Sequence, residues 1–141
     1  MTNQGLIITS LILMLFVSAP AQSELVIIGN DKTVFSKLNT RIISRIYTGK
    51  VIEIEGVSVI PVNSTQTTSL RNRFLEKYLS QNENEYSAYW TVRRFIGKGT
   101  PPKEFASVTD IITYVAETPG AIGYIDTDLI SVPSSVKIIN Q

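Results

Sequence analysis

One stretch of this chain gathers residue types that could do chemistry at a useful spacing. It is Asn63-Ser64-Thr65-Gln66-Thr67-Thr68-Ser69-Leu70-Arg71-Asn72-Arg73. An extended run ends, hydroxyl and amide side chains follow, and a helix begins with two Arg near its start. A helix N-terminus carries unpaired N–H groups and partial positive charge. Hydroxyls add donors, and an Arg guanidinium is a planar fork suited to phosphate or carboxylate. Thr67, Thr68, Ser69 and Arg71 could therefore hold a small tetrahedral anion. Leu70 belongs to the apolar stripe and can offer only its backbone N–H. Arg73 lies about 200° round the helix from Arg71 and is worse placed. The bland alternative is a polar loop with an ordinary cap and solvated Arg, since Thr and Ser begin many helices.

Other candidates are weaker. Gly97-Lys98-Gly99 lacks the spacing of a phosphate loop and follows a helix where such a loop follows a strand. Thr48-Gly49-Lys50 ends a helix, and a helix C-terminus repels anions. The carboxylate pairs Glu53/Glu55, Glu83/Glu85 and Asp126/Asp128 lie in polar segments and read as solvated charges. Tyr86, Tyr89, Trp90 and Phe95 read as core or sheet-facing packing rather than a ligand cage.

Composition narrows the chemistry further. The chain has no His and no Cys. That excludes the usual zinc sites, a thiol nucleophile and a Ser-His-Asp triad. No catalytic residue, cofactor or metal is expected, and the chain does not read as an enzyme. Thirteen Lys and Arg against twelve Asp and Glu give a net charge of +1, which offers no basis for binding nucleic acid.

The elements that must position the candidate residues follow from periodicity. Glu24–Gly29 is a short branched run and predicts a buried strand. Asn39 and Thr40 can cap a helix carrying Ile42, Ile43, Ile46 and Tyr47, which Gly49 ends. Lys50–Val62 is extended, with a turn at Glu55-Gly56, and Pro61 argues for an edge or strand-terminal position. The next helix buries Leu70, Phe74, Leu75, Tyr78 and Leu79. Asn82–Ile96 is a further helix, and Gly97–Pro102 a loop. Ser107–Asp110 opens a helix that Pro119-Gly120 stops. Ala121–Ile125 and Val136–Ile139 are strands. Strands and helices alternate, so the class is α/β with one domain. Ile27, Ile43, Ile46, Leu70, Phe74, Leu79, Trp90, Ile112, Val115 and Ile122 are the expected core.

The first residues have a separate reading. Gly5–Val17 is an apolar run of 13 residues, shorter than the about 20 a membrane-spanning helix needs. Ala19-Pro20-Ala21 follows it as an A-x-A cleavage site. Residues 1–21 are expected to be a signal peptide, with Ser23 an alternative start, and residues 22–141 an exported, periplasmic domain. An uncut apolar anchor is the alternative.

Several segments together resemble one family. They are Leu38–Lys50 ending Ile46-Tyr47-Thr48-Gly49-Lys50, Val59-Ile60-Pro61-Val62-Asn63, Leu70-Arg71-Asn72-Arg73-Phe74, Tyr89-Trp90 with Phe95-Ile96-Gly97-Lys98-Gly99-Thr100-Pro101-Pro102, and Pro119-Gly120-Ala121-Ile122-Gly123-Tyr124-Ile125. Their order is similar to that in the phosphate ABC transporter substrate-binding proteins, above all the short, single-lobe members. The resemblance spans Glu24–Ile139. It implies a single α/β lobe of a type II periplasmic binding protein, with helices packed on a mixed β-sheet. It also implies phosphate or a similar oxyanion as ligand. Full-length members close two lobes on phosphate; a second copy, or another periplasmic or membrane protein, would have to complete the cleft here. In this lobe the family offers an Arg and a Ser-Gly-Thr loop. Here Thr67-Thr68-Ser69 stands at the loop, and Asn63 where its leading Arg would be. The other reading is a periplasmic protein–protein interaction module that has lost its ligand.

Overall fold

The branched run after Glu24 becomes the strand β1, Leu25–Asn30. The computed structural model describes residues 23–139 apart from 34, 36, 37, 67 and 128–130. The expected leader, residues 1–21, lies outside the described residues, as do Thr67 and Asp128. Helix α1, Thr40–Tyr47, starts where Asn39 accepts a hydrogen bond from the Ile42 N–H at 2.9 Å. It ends at Gly49, whose φ of +69° favours glycine. A small hairpin follows, β2 (Glu53–Ile54) and β3 (Val57–Ser58), turned by Glu55 and Gly56 with positive φ at both. That is the backbone of a tight two-residue hairpin turn.

Strand β4, Ile60–Ser64, leads through the polar turn into α2, Ser69–Phe74, which Leu75–Leu79 continues as one π-helical turn. Helix α3, Glu83–Phe95, opens with a full capping box between Asn82 and Glu85. Strand β5, Lys103–Phe105, was not visible in the sequence pattern. Helix α4, Val108–Glu117, is capped by Ser107, which accepts from the Asp110 N–H. Strands β6, Ala121–Asp126, and β7, Val136–Ile139, complete the chain.

The main sheet has the order β5-β4-β6-β1-β7. Strand β4 runs parallel to β5 and β6, while β1 runs antiparallel to β6 and β7. The sheet is mixed and the class is α/β, as expected. Pro61 is not on an edge strand, because β4 lies between two others. It is the second residue of β4 and pairs with Ile122, before β5 joins at Val62, so its missing N–H interrupts no bond to β5.

Alternation along the strands builds two cores. Ile27, Ile122 and Tyr124 face α1, α2 and α3. Ile28, Val62, Ala121 and Ile125 face α4. Nine of the ten expected core residues are buried; Leu79 is only partly so and packs against the first core. Phe95 departs further from expectation. It lies 92 % exposed at the end of α3. The α3 face that packs inward carries Tyr86 and Trp90, four residues apart, and Phe95 is about 140° round from Trp90.

Candidate functional site

The position of the polar turn follows from the sheet. Strand β4 exits into α2, on one face, and its parallel neighbour β5 exits into α4, on the other. Where neighbouring parallel strands send their connections to opposite faces, a crevice opens beyond their carboxyl ends. The Thr65 N–H donates to the Phe105 carbonyl at 3.1 Å and ties the two strand exits together.

Within the turn, Thr68 faces inward. Its hydroxyl accepts from the Arg71 N–H at 3.2 Å and lies 2.8 Å from the Ser64 hydroxyl. It is the helix cap and also bonds the Thr65 carbonyl. Ser69 is exposed. Thr67 lies outside the described residues.

Arg71 is 2 % exposed, the largest fully buried side chain among the described residues. Its Nε and Nη2 donate to the two oxygens of Glu83 at 2.6 and 2.8 Å. Its Nη1 donates to the Ser64 carbonyl at 3.0 Å and to Glu104 Oε1 at 2.5 Å. Four of its five N–H bonds are thereby used. The guanidinium also lies over the Tyr86 ring, 5.4 Å from the centroid. Burial pulls its pKa down, but the hydrogen bonds and charges of Glu83 and Glu104 outweigh that and raise it. The two carboxylates occupy the fork much as an oxyanion would.

Glu83 is therefore not a solvated charge. It grips Arg71 and accepts from the Ser87 hydroxyl at 2.7 Å. Asp126 is likewise engaged, binding Arg73 at 2.5 Å. The hydrogen bond to Asp126 raises the Arg73 pKa. Asn63 is buried and does not reach the turn's surface. Its Oδ1 accepts from the Tyr124 hydroxyl at 3.0 Å, and its Nδ2 donates to the Tyr86 hydroxyl at 3.2 Å. Tyr86 donates onward to the Tyr47 carbonyl, and Tyr47 to the Val62 carbonyl. Burial raises the pKa of all three tyrosines, that of Tyr86 to about 12.

Beside the turn is a recess of about 130 Å³ whose lining includes Gln66, Arg71, Trp90, Arg94 and Glu104. That is room for about four waters at about 30 Å³ each, or a small tetrahedral anion. Arg94 is exposed and has no ion pair among the described residues. Sequence periodicity did not point to Arg94 or Glu104, because β5, which carries Glu104, is only three residues long. Among the described residues no group of acidic side chains could hold a metal ion, and no helix is long and apolar enough to cross a membrane.

The fold is that of one lobe of solved phosphate-transport binding proteins. A proposed phosphate ABC transporter substrate-binding protein from Clostridium perfringens, solved with bound phosphate, matches with a TM-score of 0.64 at 18 % identity. The match covers 83 % of this chain and 44 % of that one. An ABC-type phosphate transport receptor from Vibrio cholerae matches with a TM-score of 0.54 at 17 % identity, over 83 % of this chain and 45 % of the receptor. PstS from Borrelia burgdorferi matches with a TM-score of 0.57 at 13 % identity, over 74 % and 41 %. The chain thus spans less than half the length of the structures it resembles. No protein-family model and no curated protein matches the sequence.

Proposed function

We propose that the chain is an exported solute-binding-like protein that takes a small oxyanion such as phosphate beside the turn between β4 and α2. The observation that carries this reading is the recess beside the exits of β4 and β5, lined by Arg71 and by an Arg94 with no ion pair among the described residues. Its location accords with the rule for ligand sites in open α/β sheets. The likeness to a lobe solved with phosphate supports the choice of ligand. Export rests on the apolar run and Ala19-Pro20-Ala21. N-terminal sequencing of the envelope fraction tests it; an intact Met1 on a membrane-bound product contradicts it.

Arg71 has a different part in this reading from the one its sequence position suggests. It backs the site, and Glu83 and Glu104 compete with the ligand for its fork. Arg94 and Gln66 make the open contacts; Thr68 and Ser69 are not in the lining of the recess. Binding to this chain is weak, because the exposed Arg94 leaves the ligand in contact with water. Calorimetric titration with phosphate tests this. Glu104→Gln removes one competing charge and should tighten binding about tenfold, the equivalent of one charge-assisted contact. Arg94→Ala should weaken it by a similar factor.

One observation favours the second reading, an interaction module without a ligand. The Arg71 charge is closed from within by two carboxylates. In that case neither the wild type nor Glu104→Gln gives heat with millimolar phosphate.

A further inference from the structure

The C-terminal end of α3 carries an apolar tip in a basic setting. Val92 is 60 % exposed, Phe95 92 % and Ile96 56 %. Spaced by three and four residues, they share one side of the helix. The segment Thr91–Lys103 holds Arg93, Arg94, Lys98 and Lys103 and no acidic residue, while the rest of the chain has nine Lys and Arg against twelve Asp and Glu. Glu104 comes next, but it is turned to Arg71.

The tip is held in place. Arg93 lies over the rings of Tyr89 and Trp90, at 5.6 and 5.7 Å from their centroids. Its Nη2 donates to the Lys98 carbonyl at 3.0 Å, fixing the turn through Gly97, and approaches the Gly49 carbonyl at 3.4 Å. Trp90 in turn packs against Gly49, where a Cβ would meet its ring at 2.9 Å. Phe95 is thus displayed by a braced helix end.

We propose that this tip docks the protein on an anionic lipid surface, with Val92, Phe95 and Ile96 entering the headgroup layer and Lys98, on the turn that follows them, meeting lipid phosphates. An aromatic and aliphatic tip followed by the exposed Lys98, in a stretch of chain without acidic residues, is the chemistry of interfacial binding. A symmetric contact with a second copy would bring two patches of like charge together. Three side chains also fall short of the about 800 Å² per partner that a stable protein interface buries. The inference does not rest on phosphate binding at the recess.

Vesicle co-sedimentation tests it, using the chain without the expected leader, residues 1–21; every described element lies within residues 25–139. Vesicles of phosphatidylglycerol and phosphatidylethanolamine are compared with phosphatidylcholine alone. The wild type should bind the anionic vesicles, reversibly and more weakly with added salt, and not the neutral ones. Phe95→Ser should lower the partition coefficient about tenfold. Lys98→Gln should lower it about fivefold, one charge's share. Both side chains are exposed, so the urea midpoints should match the wild type and report that the fold is kept. Absence of binding to anionic vesicles at low salt overturns the proposal, as does binding that neither variant changes. Self-association lost in Phe95→Ser, without vesicle binding, assigns the tip to a second copy and also overturns it.

Discussion

Arg71 and Arg73 are two residues apart and have opposite circumstances. Arg71 is buried between Glu83 and Glu104, whereas Arg73 is 42 % exposed and meets Asp126 alone. Removing one partner of a buried pair strands the other charges, so Arg71→Ala should lower stability by about 3 to 5 kcal/mol. Arg73→Ala should change it by less than about 1 kcal/mol, as surface pairs do. Urea unfolding of the two variants checks this, and equal losses contradict it. The buried place of Arg71 was not read from the sequence, although the spacing allows it. It falls on the same helical stripe as Phe74, Leu75 and Tyr78, three, four and seven residues on. Its partners were not legible, because Glu83 and Glu104 come from other elements, 12 and 33 residues away. The same holds for Asn63, whose bonds to Tyr86 and Tyr124 span 23 and 61 residues.

At the scale of elements, the long periodic helices and the branched strands could be read directly, since local spacing decides which face each one buries. Two features escaped that logic. Strand β5 has three residues, too few to show a period, and exists because it pairs with β4 at Val62–Ser64. The exposed end of α3 carries Phe95, which helical spacing assigned to core or sheet-facing packing. The stops were clearer, and Gly120 is one that tertiary contact makes stringent. Its φ is +82°, and a Cβ there would drive into the Ser58 carbonyl oxygen. That backbone stands just before β6, where Ile60 N–H donates to the Gly120 carbonyl at 2.9 Å. Gly120→Ala should therefore cost more than about 1 kcal/mol, the upper range for an unstrained glycine exchange. Thermal unfolding checks it; a variant as stable as the wild type means that the hairpin of β2 and β3 can move aside.

Across the whole molecule, a network of tyrosines joins what the sheet separates. Tyr47 of α1, Tyr86 of α3 and Tyr124 of β6 meet around Asn63 of β4, and Phe74 stacks on Tyr124 with ring centroids 3.8 Å apart. Burial raises the three phenol pKa values, so the folded state holds protons that the unfolded chain gives up near about pH 10. Their contribution is fully present below that pH and is lost as pH rises toward and through the folded values. The urea midpoint should fall steeply above about pH 10, and tyrosinate absorbance should appear together with unfolding. Ionisation of Tyr47, Tyr86 and Tyr124 while the fold persists contradicts this.

The chain spans 44 % of the Clostridium structure solved with phosphate and carries one lobe of that fold. A recess lies beside the exits of β4 and β5, and there Arg71 is held by carboxylates. Calorimetric titration of phosphate into the chain without residues 1–21, beside Glu104→Gln and Arg94→Ala, is the most direct test of the account. It predicts weak, salt-sensitive binding to the wild type, about tenfold tighter in Glu104→Gln and about tenfold weaker in Arg94→Ala. No heat from any of the three proteins at millimolar phosphate, or affinities that neither substitution alters, contradicts an oxyanion site beside this turn.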